Sequence, residues 1–393
     1  MTTIEKFNEH VVGSYGRFDL VLDKGEGRTA TSEDGKSYID FGSGIGVNSL
    51  GFCNDKWVEA VCAQAHAIQH TSNYYYTKVQ SDFAGKLCVA TGYDKIFFGN
   101  SGAEANECAI KIARKYSFDK YGKDAERNII VTLENSFHGR TMATLSATGQ
   151  DSFHNYFFPF VQGFVNAKAN DVDDLKRVLS ENEGKVCAVM FEFVQGEGGV
   201  VSLDKEYINA IFEECAAKDI LTIADEVQTG VGRTGALLTS QLFGIQPDIT
   251  TLAKGLAGGV PIGACLTNKK TSTVLTPGTH GSTFGGNPLA CAGGIAVLDT
   301  ILADGFLDEV CQKGYYLYQK LMALDEVENV TGTGLMIGIV LKNKTAKDVC
   351  KACLDNGLLT LTAKEKLRLL PPLNITYDEI DQGLAILEKV LKQ

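Results

Sequence analysis

Two short apolar runs that each end at a reactive side chain constrain this sequence more than any other feature. Residues 220–224 lead directly into Asp225, and residues 249–253 lead directly into Lys254. Runs of this length, rich in β-branched residues and followed by glycine loops, are typical of buried parallel strands. Because open α/β sheets bind ligands beyond the carboxyl ends of their strands, the acid and the amine predict a ligand site.

One cofactor uses such a pair directly. Pyridoxal phosphate needs a lysine amine to form an imine with its aldehyde and a carboxylate to keep its ring nitrogen protonated. An ionised Asp225 would hold that positive charge in a low-dielectric site. Taken singly, Asp225 also fits a helix cap and Lys254 also fits a solvated loop residue. The motifs elsewhere in the chain favour the cofactor.

Length and charge restrict the class of function. The 393 residues favour two domains, and 44% hydrophobic with 22% charged residues is ordinary for a soluble enzyme. A net charge of −11 with no basic stripe argues against a nucleic-acid or membrane-surface partner. No segment has the roughly 20 consecutive apolar residues of a membrane helix, and the first residues lack a signal peptide's apolar core.

The cysteines and histidines predict neither a disulfide framework nor a metal site. The 11 cysteines are odd in number and scattered, so a reducing cytoplasmic location fits best. Cys350 and Cys353 form a lone CxxC within a helical pattern, where core packing is a better interpretation than zinc binding. His66 and His70 are interpreted as ordinary residues of a helix over 55–70.

A predicted strand over 95–98 leads into a candidate anion site. Ser101, Gly102 and Ala103 follow that strand and open a predicted helix. Free N–H groups, the positive end of the helix dipole and a hydroxyl predict that an anion binds there. Ser101 as a plain N-cap is the alternative interpretation, and both can hold together.

Two further strand ends carry candidate substrate contacts. A predicted strand over 129–133 delivers Phe137, which can lie on a flat ring or pack in the core, and Arg140, which can bind a carboxylate or form a surface ion pair. Glu197 lies between glycines after a strand over 186–191, where a solvated turn glutamate is also common.

The composition changes near residue 289 towards amphipathic helices and a second short sheet, which predicts a smaller α+β domain. Arg368 stands alone within an apolar strand of that region, where burial would be costly without an anion. We predict an N-terminal segment over 1–50 that contributes to the small domain, a large cofactor-binding domain over 51–278 and a C-terminal small domain over 279–393.

Taken together, these motifs resemble the class III (subgroup II) aminotransferases of fold type I, and among them most closely the acetylornithine aminotransferases. The resemblance spans nearly the whole chain and rests on residues 100–107, 137–141, 195–199, 225–230, 253–256 and 281–288. One position departs from the family, because Phe193 stands where proline is common after the glutamate at 192.

The resemblance implies an α/β fold with a mixed, mostly parallel seven-stranded sheet flanked by helices, plus a smaller α+β domain. It implies pyridoxal phosphate as cofactor, with Lys254 and Asp225 as catalytic residues. The implied cofactor contacts are Ser101, Gly102, Ala103, Phe137, Asp225, Glu226, Val227, Gln228, Lys254 and, from the second subunit of a homodimer, Thr283. Phe137 would stack on the ring, and Gln228 would contact the ring hydroxyl.

The implied reaction moves the δ-amino group of N2-acetylornithine to 2-oxoglutarate, in arginine biosynthesis, at sites on the dimer interface. Arg140 and Ser282 would bind the acetylornithine carboxylate, Arg368 would bind that of glutamate or 2-oxoglutarate, and Glu197 would neutralise Arg368 in between. Succinylornithine, ornithine and 4-aminobutyrate aminotransferases are alternatives within the fold. An aminomutase or decarboxylase fits two carboxylate-binding arginines less well, and a non-enzymatic cofactor-binding protein would not need Lys254 and Asp225 intact.

Overall fold

The computed structural model describes residues 1–393. Its strands are β1 (Leu22–Glu26), β2 (Thr29–Ser32), β3 (Ser37–Asp40), β4 (Lys95–Gly99), β5 (Ile129–Leu133), β6 (Phe164–Ala167), β7 (Val186–Phe191), β8 (Val194–Gln195), β9 (Val201–Ser202), β10 (Leu221–Asp225), β11 (Ile249–Leu252), β12 (Gly263–Thr267), β13 (Val327–Thr333), β14 (Met336–Leu341), β15 (Leu358–Leu359), β16 (Leu361–Ala363) and β17 (Lys366–Leu369).

The helices, with three 3₁₀ turns between them, flank these strands. They are α1 (Thr3–His10), α2 (Ser43–Gly46), α3 (Asp55–Ala67), α4 (Lys78–Thr91), α5 (Gly102–Tyr121), α6 (Met142–Ala147), α7 (Val172–Glu181), α8 (Lys205–Ala217), α9 (Thr239–Leu242), α10 (Pro288–Ile301), α11 (Phe306–Met322), α12 (Ala346–Asp355) and α13 (Tyr377–Lys392). The 3₁₀ turns are Lys123–Ala125, Asp151–Phe153 and Lys254–Ala257.

A seven-stranded sheet in the order β4-β12-β11-β10-β7-β5-β6 forms the centre of the molecule. Only β12 runs antiparallel to its neighbours, and the remaining pairs are parallel. Every residue of β7, β10 and β11 is buried, as expected when helices cover both faces of a parallel sheet. The predicted fold class, a mixed and mostly parallel seven-stranded sheet, is confirmed.

The register of the sheet brings the two apolar runs together. In the parallel pair β10 and β11, Ile223 is opposite Ile249 and Asp225 is opposite Thr251. The carboxyl ends of these strands therefore meet at one edge, and the chain turns at Lys254 directly beyond that edge.

Two smaller sheets lie outside the central one. The C-terminal sheet has the order β13-β14-β17-β16, and the N-terminal sheet has the order β1-β2-β3-β15. Because β15 pairs in parallel with β3, the first residues of the chain share a sheet with a C-terminal strand. The largest core cluster, of 42 buried residues, joins the central sheet to the C-terminal helices through side chains such as Leu252, Leu266, Leu317 and Leu387.

The predicted helix over 55–70 ends earlier in the structure, so the interpretation of His70 as a helix residue is wrong. Helix α3 ends at Ala67, and Ile68 is already extended with φ −163°. The amide of Gln64 donates to the Ile68 carbonyl at 2.7 Å, which closes the helix end. Cys350 and Cys353 lie in α12 and are buried, as expected of core residues.

No single helix of the chain is both long and apolar enough to cross a membrane. The pair α10 and α11, bent by 73°, meets that criterion only when the two helices are taken together, by length and composition.

Candidate active site

A cavity of about 450 Å³ opens at the carboxyl edge of the central sheet. It is lined by the ends of β4, β5, β7, β10 and β11 and by the first turn of α5. Nine of the predicted site residues line it, namely Ser101, Gly102, Ala103, Phe137, Arg140, Asp225, Val227, Gln228 and Lys254. The parallel register therefore gathers side chains that lie far apart in sequence.

Asp225 is fixed by three hydrogen-bond donors. Its Oδ2 accepts from Nδ2 of Asn106 at 2.8 Å and lies 2.7 Å from Nδ1 of His138, and its Oδ1 accepts from the Val227 N–H at 3.1 Å. Asn106 is held in turn by the Thr251 hydroxyl at 2.7 Å. Because a carboxylate only accepts, Nδ1 of His138 carries the proton. The network holds a buried anion in one orientation.

Lys254 lies in a backbone conformation that residues other than glycine rarely adopt, with φ +47°. The pKa of its amine is lowered to about 8, chiefly by burial; the negative charge of Glu197 opposes this shift and the positive charge of Arg368 adds to it. A larger share of neutral amine is therefore present near neutral pH than on an exposed lysine. A neutral amine is the nucleophilic form.

The first turn of α5 provides the anion site. Gly102 and Ala103 are its first two residues, whose N–H groups have no partner inside a helix. Ser101 caps the helix by accepting from the Glu104 N–H at 3.1 Å, so the plain cap is also present. A Cβ on Gly102 would lie 2.7 Å from Cγ1 of Val227, so this approach requires glycine.

Glu192 joins the loop that carries Phe137 to the loop that carries Glu197. Its Oε1 accepts from the Phe137 N–H at 2.9 Å, and its Oε2 accepts from the Gly196 N–H at 3.2 Å. The pKa of this carboxyl is raised to about 7, chiefly by burial; His138 opposes this shift and the charge of Asp225 adds to it. Glu192 therefore fixes two loops at the rim of the cavity.

Arg368 is buried and paired with Glu197. The two groups meet through two contacts, Nη1 to Oε1 at 2.6 Å and Nη2 to Oε2 at 3.2 Å. Gln228 bridges them, because it donates to Oε1 of Glu197 at 3.2 Å and accepts from Nη1 of Arg368 at 3.1 Å. The charge of Arg368 and these hydrogen bonds lower the pKa of Glu197 despite its burial.

Comparison with known proteins agrees with this geometry. Residues 12–391 match the family model described as aminotransferase class-III. The acetylornithine aminotransferase of Haemophilus ducreyi is 50% identical over 98% of this chain and 97% of its own length. This chain is a class III aminotransferase. Enzymes of this family depend on pyridoxal phosphate, and the chain is therefore a pyridoxal-phosphate-dependent transaminase.

Two solved structures of aminotransferases match almost the whole chain. The ornithine aminotransferase of Toxoplasma gondii has a TM-score of 0.94 at 31% identity, covering 99% of this chain and 94% of its own. The acetylornithine aminotransferase of Elizabethkingia anophelis has a TM-score of 0.88 at 34% identity, with 99% and 98% covered. The fold type I architecture of the family is therefore shared along the full length.

The cavity of this class III aminotransferase fits the cofactor in charge and shape. It presents an amine at Lys254, a buried carboxylate at Asp225 and unpaired helix N–H groups at Gly102 and Ala103. An aromatic face at Phe137 and a branched side chain at Val227 line the same space. An aldehyde, a basic ring nitrogen and a phosphate each find a complementary group there.

Five predicted contacts do not line this cavity. Glu197 and Arg368 adjoin it through their hydrogen bonds to Gln228, and Glu226, Thr283 and Ser282 lie outside it. The carboxylate of Glu226 accepts from the backbone N–H groups of Thr239 and Ser240, at 2.5 and 3.0 Å, so its side chain stabilises the following loop instead of lining the cavity. The cofactor contact of Glu226 stays a prediction. Thr283 is exposed outside the cavity, and Ser282 reaches only its rim, where it accepts from Nδ2 of Asn100 at 3.2 Å.

Sequence reasoning did not single out the groups that hold Asp225. Asn106 lies among the apolar residues of α5 and is 1% exposed, and His138 sits between Phe137 and Gly139 and is 2% exposed. The one indication in the sequence was that Asn106 is a polar residue on an otherwise apolar face of a predicted helix. Only the fold brings α5 against β10, so the partner of that amide was not evident from the sequence.

Proposed function

We propose that this chain transfers the δ-amino group of N2-acetylornithine to 2-oxoglutarate and gives glutamate. The different environments of two arginines at one site support this proposal most strongly. Arg140 is exposed at the cavity and free of any anionic partner, whereas Arg368 is buried and neutralised by Glu197. Such a site suits two substrates that each carry a carboxylate and that bind in turn.

Five residues would hold the cofactor. The N–H groups at Gly102 and Ala103 with the Ser101 hydroxyl would bind its phosphate, and Phe137 would cover one face of its ring. Asp225 would stabilise the protonated ring nitrogen. Bound there, pyridoxal phosphate supplies an aldehyde that carries the amino group and a ring that accepts electrons from the substrate carbon.

Lys254 carries the proton. Its amine, with a pKa lowered by burial, would take the proton from the amine-bearing carbon of the donor and return it at the cofactor side. The His138 and Asn106 donors keep the Asp225 carboxylate in place while Lys254 moves. Asp225 thus acts as a fixed anion and Lys254 as a mobile base.

Glu197 would let one site accept both substrates. With acetylornithine, whose carboxylate goes to Arg140, the Glu197–Arg368 pair stays closed and no buried charge is left unpaired. With glutamate or 2-oxoglutarate, Glu197 would swing away and the substrate carboxylate would replace it on the arginine fork. Its position next to Gly196 and Gly198 supports such a movement.

We further propose a homodimer whose active sites lie at the interface, with Thr283 completing the phosphate site of the partner subunit. A patch of exposed aromatic residues supports this, because Tyr74, Tyr75, Tyr76 and Phe284 are 93%, 70%, 105% and 58% exposed. We propose a cytoplasmic location and keep the domain division 1–50, 51–278 and 279–393. The pairing of β3 with β15 supports placing residues 1–50 with the small domain.

Acetylornithine is preferred over ornithine because two curated relatives of that name are 45% and 50% identical to this chain, whereas the Toxoplasma gondii ornithine aminotransferase is 31% identical. Besides the Haemophilus ducreyi enzyme, the acetylornithine aminotransferase of Caldanaerobacter subterraneus subsp. tengcongensis is 45% identical over 100% of this chain. Ornithine is the second candidate, because the Toxoplasma gondii structure named for it has a TM-score of 0.94. Succinylornithine and 4-aminobutyrate share the catalytic residues.

Half-reaction rates of the holoenzyme test the proposal. N2-acetylornithine, N2-succinylornithine, ornithine and 4-aminobutyrate are mixed separately with one preparation, and the cofactor absorbance is followed by stopped flow. We expect the highest kcat/KM with N2-acetylornithine, and lower values with ornithine and 4-aminobutyrate. A faster reaction with free ornithine would instead favour the ornithine aminotransferase assignment, and no reaction with any donor would overturn transamination of these amines.

A further inference from the structure

Arg140 is held by aromatic rings and by no polar group of the chain. Its guanidinium carbon lies 4.0 Å from the ring centroid of Phe153 and 5.5 Å from that of Phe137. A guanidinium that rests on a ring face keeps its N–H edge free for hydrogen bonds in the plane. Arg368 differs, because its Nη1 and Nη2 atoms already donate to Glu197 and Gln228.

Phe153 has a defined position relative to this site. It ends the 3₁₀ turn Asp151–Phe153, and that turn is tied to the residue before Phe137. The amide of Gln150 donates to the Ser136 carbonyl at 3.1 Å, and the Gly149 N–H donates to the Ser136 hydroxyl at 3.0 Å. The turn and the Phe137 loop therefore form one connected unit.

The two rings also contact each other. Phe137 and Phe153 meet edge to face, with centroids 5.9 Å apart and an interplanar angle of 70°. Such pairs prefer this arrangement, so each ring limits the tilt of the other. The guanidinium of Arg140 lies over the nearer ring, which is that of Phe153.

We propose that Phe153 is a positioning residue for Arg140. Its ring supports the flat face of the guanidinium, so that the free edge points at the α-carboxylate of the amino donor and binds it through two N–H groups. The inference rests on the proposed function for the identity of the donor. It adds a residue that sets the affinity for the donor whose carboxylate binds Arg140.

The test compares Phe153→Leu, which removes the ring, with Phe153→Tyr, which keeps it. The probe is N2-acetylnorvaline, which carries the same acylated α-carboxylate end and lacks the δ-amine, so its binding needs no turnover. Its Kd for the holoenzyme is measured by calorimetry. We expect Phe153→Leu to raise Kd roughly three- to thirtyfold, the range that a cation–π contact accounts for, and Phe153→Tyr to restore it to within about twofold.

Half-reactions provide a second readout. In Phe153→Leu, kcat/KM for N2-acetylornithine should fall through KM, while kcat for that donor stays within about twofold, which also reports a folded holoenzyme. Phe160→Leu is the matched control, because Phe160 belongs to the same loop and packs on His154 instead of Arg140. That variant should leave the Kd of N2-acetylnorvaline unchanged.

A double-mutant cycle separates positioning from general loosening. In an Arg140→Ala background, Phe153→Leu should cause no further loss of N2-acetylnorvaline binding, because its effect acts through the arginine. The same loss in both backgrounds, an unchanged Kd in Phe153→Leu, or wild-type holoenzyme that does not bind N2-acetylnorvaline would overturn the proposal. Wild-type enzyme that binds the probe but does not transaminate N2-acetylornithine would overturn the proposed substrate only.

Discussion

Glu197 contacts Arg368 with both carboxylate oxygens, at 2.6 and 3.2 Å, while it remains 28% exposed and the arginine side chain is 3% exposed. The buried cation is therefore balanced by an anion that can still reach solvent. Removing one partner of a buried ion pair destabilises a protein by more than the intact pair stabilises it, because the remaining charge is left buried and unpaired.

Glu197→Ala should therefore damage one half-reaction more than the other. With N2-acetylornithine bound, Arg368 would lack an anion, and we expect kcat/KM to fall about ten- to hundredfold, a range reduced for the partial exposure of Glu197. With glutamate, whose carboxylate replaces Glu197, the change should stay within about threefold. Stopped-flow half-reactions measure both values. Exposed Glu183→Ala is the control, and equal losses with both substrates would contradict the exchange.

The contact between His138 and Asp225 leads to a different kinetic pattern. His138→Phe removes one donor to a buried carboxylate, and a hydrogen bond to a charged group contributes about 1.5–3 kcal/mol. Since Asp225 serves both substrates, we expect kcat to fall roughly ten- to a hundredfold in both half-reactions. His138→Asn offers an amide donor and should recover most of the loss. Damage confined to one substrate would argue that His138 acts elsewhere.

The lowered pKa of Lys254 predicts how apoenzyme takes up the cofactor. Burial lowers this pKa to about 8, and attack on an aldehyde needs the neutral amine. The rate of covalent attachment should therefore rise about tenfold per pH unit below pH 8 and level off above it. Absorbance of the attached cofactor measures the rate, and Lys254→Ala should show none. A rate still rising near pH 10 would mean an ordinary lysine.

The raised pKa of Glu192 predicts a pH-dependent stability. Burial raises this pKa to about 7, so the folded state binds the proton more tightly than the unfolded state. The contribution of Glu192 to the free energy of unfolding is then lost as the pH rises through the folded pKa. The free energy of unfolding of Glu192→Gln apoenzyme minus that of wild-type apoenzyme should therefore increase between pH 5 and 7, by up to about 3 kcal/mol. Above pH 7 this difference should stay constant. Urea unfolding measures it, and a pH-independent difference would contradict the assignment.

The sequence predicts those features that depend on local pattern. The apolar runs before Asp225 and Lys254 are strands β10 and β11, and the Ser101–Ala103 segment does open a helix. Hydrogen bonds between residues far apart in the chain could not be predicted from the sequence. Those from Asn106 and His138 to Asp225 join residues 119 and 87 positions apart. The hydrogen bonds of Glu226 were not evident from the sequence for the same reason, since the loop brings its partners Thr239 and Ser240 back to it.

Gly102 provides a last prediction, because it tests the close approach of α5 to Val227. A Cβ at position 102 would lie 2.7 Å from Cγ1 of Val227, so Gly102→Ala forces a shift at the phosphate site. Overpacking of this kind costs about 1–3 kcal/mol, and we expect weaker binding of pyridoxal phosphate by about tenfold and a lower Tm. Equilibrium dialysis and thermal unfolding measure the two effects.

Gly85→Ala is the matched control for that experiment. Gly85 lies inside α4, and a Cβ there would meet nothing within 4 Å. Because alanine favours a helix interior over glycine by about 1 kcal/mol, this variant should raise Tm and leave cofactor affinity unchanged. If Gly102→Ala instead raised Tm and left cofactor affinity unchanged, as expected for Gly85→Ala, the contact with Val227 would not require glycine at position 102.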